Sequence, residues 1–92
     1  KYNKNLKTVH LLFVNNKIRT IPENLFKYNN NVRDARRLFY QCSNIINIPE
    51  KIIEFANKVK ERTGDSIDIY GIFTDCTSAS NYSSLPSYMK QY

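Results

Sequence analysis

The feature that most constrains this chain is an internal repeat. Aligned on three phenylalanines, the segments "LKTVHLLF" (6–13), "VRDARRLF" (32–39) and "SIDIYGIF" (66–73) share apolar columns. One column holds Val9, Ala35 and Ile69, a second Leu12, Leu38 and Ile72, and a third Phe13, Phe39 and Phe73. Three positions past each phenylalanine stand Asn16, Cys42 and Cys76, and each copy then runs to an Ile-Pro or Leu-Pro pair (Ile21-Pro22, Ile48-Pro49, Leu85-Pro86). A unit of this length cannot bury its own apolar face, so stacked neighbours must bury it jointly. The chain of 92 residues reads as a single repeat domain, with units at about 6–31, 32–65 and 66–92, and is expected to be a fragment or terminal part of a larger protein.

Within each unit, "SIDIYGIF" alternates and is rich in β-branched and aromatic residues, which predicts a strand. Its counterparts at 6–13 and 32–39 are then expected to be strands, although "VRDARRLF" alone reads equally well as a helix. Proline suits a first helical turn and an acidic residue suits the positive end of a helix dipole. Pro22-Glu23 and Pro49-Glu50 therefore predict a short helix from 22 and a longer one over 50–63. In the longer one Ile52, Ile53, Phe55, Ala56 and Val59 form an apolar stripe, and Gly64 stops it. The expected fold class is α/β: a short leucine-rich-repeat-like solenoid of about three units, parallel strands on one face and short helices on the other.

The pattern in "VRDARRLFYQCSNIINIPEKI", with "IPENLF" at 21–26, resembles the BspA-type leucine-rich repeats of bacterial surface proteins and phage tails. The resemblance covers nearly the whole chain. It departs at Asn16, which replaces Cys, at Ser66 and Gly71, and in the polar stretch 77–84. It implies an extracellular, cell-surface or phage-particle location, a binding or adhesion role, and no catalytic residue.

The two cysteines are too few for a disulfide scaffold. Their shared column predicts small buried core residues, with a Cys42–Cys76 bridge as the alternative. Catalysis would require the single histidine, His10, beside an exposed thiol. Two cysteines and one histidine also fall short of a zinc site, and two glycines cannot build a phosphate loop. Neither enzyme activity nor a cofactor is expected. No apolar run approaches the ~18 residues that span a bilayer, so no membrane insertion is expected. The chain does not begin with methionine and carries no signal-peptide pattern, so a targeting signal is expected outside it.

Function is then expected on the columns that vary between units, namely Lys7 and His10, Arg33, Asp34, Arg36 and Arg37, and Asp68 and Tyr70. With a net charge of +6, these residues predict a monomeric, non-catalytic module within a larger chain that binds a protein or an anionic glycan. The alternative is a basic nucleic-acid-binding domain, suggested by the Arg33, Arg36, Arg37 cluster. It lacks a row of exposed stacking aromatics.

Overall fold

The computed structural model describes residues 6–90. Its order along the chain is irregular turns, a helix α1 over Glu50–Thr63, and three short 3-10 turns at Ser66–Ile69, Tyr82–Ser84 and Ser87–Met89. The expected parallel-strand solenoid is contradicted. Among the described residues there is no sheet, and the one parallel pairing is an isolated bridge between Thr8 and Asp34.

The predicted strands 6–13, 32–39 and 66–73 are replaced by a pair of tight turns repeated in every unit. The first turn is closed by N–H to C=O bonds from Leu12 to Val9, Leu38 to Ala35, and Ile72 to Ile69 at 3.1–3.3 Å. The second is closed from Asn16 to Phe13, Cys42 to Phe39, and Cys76 to Phe73 at 3.1–3.2 Å. The third residue of each turn has positive φ: Leu11 (62°), Arg37 (52°) and Gly71 (67°), then Asn15 (53°), Gln41 (60°) and Asp75 (64°). A left-handed residue reverses the chain where a strand would extend it, as the third position of a type II turn does. Gly71 adopts this conformation freely, whereas each of the other five carries a steric cost.

The turns still stack in register. Val9, Leu11, Phe13 and Asn15 donate their N–H groups to the carbonyls of Asp34, Arg36, Leu38 and Tyr40 at 2.7–3.1 Å. Ala35, Arg37, Phe39 and Gln41 donate in the same way to Asp68, Tyr70, Ile72 and Thr74. These eight N–H groups, four in each of the first two units, are thus paired with carbonyls of the next unit, as buried polar groups require.

The aromatic column lies inside this stack. The Phe13 and Phe39 rings are 5.3 Å apart and 3° from parallel, and those of Phe39 and Phe73 are 5.9 Å apart and 6° from parallel. Phe39, Phe73, Leu38, Ile72, Ala35 and Ile69 are fully buried. Leu12, in the first unit, is 55% exposed. The far end is closed by the C-terminal segment, where the carbonyls of Tyr88 and Met89 accept from Gly71 and Phe73 at 2.9 and 2.7 Å.

Helix α1 occupies the predicted residues, with Ile52, Ala56 and Val59 buried and Gly64 ending it at φ 78°. Pro49 lies just before the helix and Glu50 is its first residue. The short helix predicted from Pro22 is instead a run of turns, linked by Leu25 to Pro22, Lys27 to Asn24 and Asn29 to Phe26. That segment packs on α1 through the rings of Phe26 and Phe55, whose centroids are 4.4 Å apart. The Arg62 guanidinium donates to the Val32 carbonyl and ties the helix end to the start of the second unit.

Candidate functional site

The exposed side of the stacked turns carries the varying columns. The second and third units bury most of their apolar positions, and the residues of the varying columns between them are exposed or half-exposed. His10, Arg36, Arg37 and Tyr70, one or two from each unit, line a shallow hollow together with Ile67. Sequence reasoning missed Ile67, which is 56% exposed; it shares a varying column with Lys7 and Arg33, and that was the signal that could have found it.

Asp34 braces this hollow. Its carboxylate accepts from Arg36 Nε at 2.9 Å and Nη2 at 2.8 Å, and also from the Arg36 backbone N–H. The two-pronged bond fixes the plane of the guanidinium. The same bond to Arg36 is the main reason the Asp34 carboxyl titrates below the usual carboxylate range, and its partial burial acts in the opposite direction. Arg36 is held more firmly protonated by Asp34, and to a smaller extent by Asp68. Arg37 lies over the Tyr40 ring at 5.6 Å, a cation–π contact on the neighbouring surface. Lys7 and Arg33 are exposed but do not line the hollow. They are joined through the backbone, Arg33 N–H to Lys7 carbonyl at 2.8 Å.

The arrangement can hold an anion. Its lining combines two guanidinium groups, an imidazole, the Ile67 side chain and the Tyr70 ring, and the Asp34 carboxylate orients one guanidinium. Asp34 occupies the Nε/Nη2 edge of Arg36, so a carboxylate or sulfate would meet the other N–H groups of that guanidinium together with Arg37.

The cysteines take no part in it. Both are free and buried. The Cys42 thiol donates to the Phe13 carbonyl at 2.9 Å, and the Cys76 thiol to the Phe39 carbonyl at 3.2 Å. Each thiol therefore helps to tie its own turn to the preceding unit. Burial raises the pKa of both, that of Cys76 to about 12. Asn16, in the same column, caps its own turn by accepting from the Ile18 N–H at 3.0 Å. Among the described residues no group of three His, Cys, Asp or Glu side chains could hold a metal ion.

A second concavity lies between the 23–30 segment and α1, with Phe26, Ile52 and Phe55 at its base and Lys27, Lys51 and Lys58 around it. The aromatic pair that forms it was legible only as two separate apolar positions. No family model, curated protein or solved structure matches the chain.

Proposed function

We propose that this chain is a non-catalytic binding module whose exposed turn face grips an anionic group, carboxylate or sulfate, on a protein or glycan partner. The observation that carries this reading is the meeting of His10, Arg36, Arg37 and Tyr70, from three separate units, around one hollow. The Asp34 brace supports it, because a guanidinium already oriented loses less freedom when it binds. The net charge of +6 favours acidic partners. The sequence motifs shared with BspA-type repeats add a bacterial surface or phage particle as the setting, without that family's parallel sheet.

The test is binding of the intact chain to sulfated oligosaccharides, an acidic peptide and a random oligonucleotide, at low and physiological salt. Arg36→Gln combined with Arg37→Gly removes both guanidinium groups, and glycine suits the positive φ at residue 37. Affinity for the best anionic probe is expected to fall by about tenfold or more, the loss typical of charged hydrogen bonds. Unchanged affinity in a folded variant would remove the hollow from the reading. Equal binding of the oligonucleotide with steep salt dependence would favour nucleic acid instead.

A further inference from the structure

The two ends of the stack differ. At the C-terminal end, the donors that would meet a further unit are already used: Gly71 and Phe73 bond to Tyr88 and Met89, and the Asp75 N–H bonds to the Tyr82 hydroxyl at 3.3 Å. At the other end, the carbonyls of Thr8, His10, Leu12 and Val14 occupy the register positions of Asp34, Arg36, Leu38 and Tyr40. Those four carbonyls accept the N–H groups of the unit before them. Among the described residues nothing donates to the Thr8, His10, Leu12 or Val14 carbonyls. The apolar columns end there as well. Leu12 is 55% exposed where Leu38 and Ile72 are fully buried, and Leu11 and Val14 beside it are about 40% exposed.

We propose that this edge is a docking surface for one more turn of the same repeat, carried in the same polypeptide. The edge continues the interface already seen twice within the chain. An added turn supplies the missing N–H donors, an aromatic ring over Phe13 and an apolar cover for Leu12. A second copy of this chain fits poorly. Its matching donors are bonded to the Tyr88 and Met89 carbonyls. Two such edges face to face would set carbonyl against carbonyl, which leaves buried acceptors unpaired. This surface is the end of the stack and does not depend on what the hollow on its side binds.

The experiment is a full-length chain in which residues 6–31 are duplicated directly ahead of residue 6, which keeps the Phe-to-Phe spacing of the first two units. Amide exchange is read by NMR. The copied Val9, Leu11, Phe13 and Asn15 amides are expected to exchange at least about 100-fold more slowly than unstructured amides, as in a cooperatively folded unit. Leu12→Asp in the original copy is the control. It places a charge in the new contact while sparing the original fold, where Leu12 is exposed. It should return those four amides to unprotected rates and leave the Phe39 amide slow. Unprotected copied amides before that substitution would overturn the proposal. So would a concentration-dependent dimer of the unaltered chain that Leu12→Asp dissolves, because the occupant would then be a second copy.

Discussion

Replacing Phe39 with alanine should be the most damaging single change to the aromatic stack. Phe39 is fully buried and lies between two nearly parallel rings, 5.3 Å from Phe13 and 5.9 Å from Phe73. A buried aromatic removes roughly 150–250 Å² from water, which at about 25 cal/mol per Å² is about 4–6 kcal/mol. Alanine keeps a small part of that area, and the vacated space adds a cavity penalty, so the expected net loss is about 3–5 kcal/mol. A domain of this length has roughly 5–14 kcal/mol in all, so the variant should approach the folding threshold. Phe13 is only half-buried at the open edge, and Phe13→Ala should cost about half as much on the same area argument. Urea titrations followed by circular dichroism give both values. Equal losses at the two positions, or a Phe39→Ala loss under about 1 kcal/mol, would refute a continuous column centred on Phe39, because buried aromatic truncations cost several times that.

The native chain should resist thiol reagents at mildly alkaline pH and label at both cysteines in denaturant, since a Cys76 pKa of about 12 leaves almost no thiolate; fast labelling of the folded chain would contradict the buried thiol column. Gly71→Ala should destabilise by about 1–2 kcal/mol because Gly71 has φ 67°, whereas in a strand or helix the same change would be neutral or stabilising; calorimetry reads the sign. The Asp34 carboxyl is lowered in the folded state, so its contribution is present above the unfolded pKa of about 3.9 and lost as pH falls through the folded value. The Asp34–Arg36 pair is partly open to solvent, which screens it, so Asp34→Asn should cost no more than about 1 kcal/mol at neutral pH and nothing in strong acid. A loss of the same size at both pH values would assign the effect to packing instead.

The buried columns were legible because burial selects residue type. Val9, Ala35 and Ile69, the three phenylalanines and the two cysteines declared themselves by chemistry and spacing alone. Helix α1 was legible for the same reason, through its apolar stripe and Gly64. The strands were misread because alternation has two causes. In "SIDIYGIF" it accompanies tight turns, which bury Ile69 and the adjacent Ile72 and Phe73 and leave Ile67 exposed, where a strand would bury every second side chain. Positive φ separates the two cases, and its signal was present. Gly71, noted as a departure from the pattern, occupies a left-handed column with Leu11 and Arg37. Asn15 and Asp75 occupy the other, and they are among the few residue types that tolerate this conformation. Leu11, Arg37 and Gln41 conceal it, held there by the inter-unit bonds. The hollow was legible in part. His10, Arg36, Arg37 and Tyr70 were marked by their variation between units, but the Asp34 brace depends on a turn that brings residues 34 and 36 to the same side.

The register of the stack is the claim on which both the binding face and the open edge depend. NMR scalar couplings transmitted across hydrogen bonds test it directly, because they identify each donor nitrogen with its acceptor carbonyl. The stacked turns predict couplings from the Phe13 nitrogen to the Leu38 carbonyl, from Phe39 to Ile72 and from Phe73 to Met89, all in one sample. Couplings displaced by one residue, or absent from all three phenylalanine amides while α1 remains folded, would contradict it.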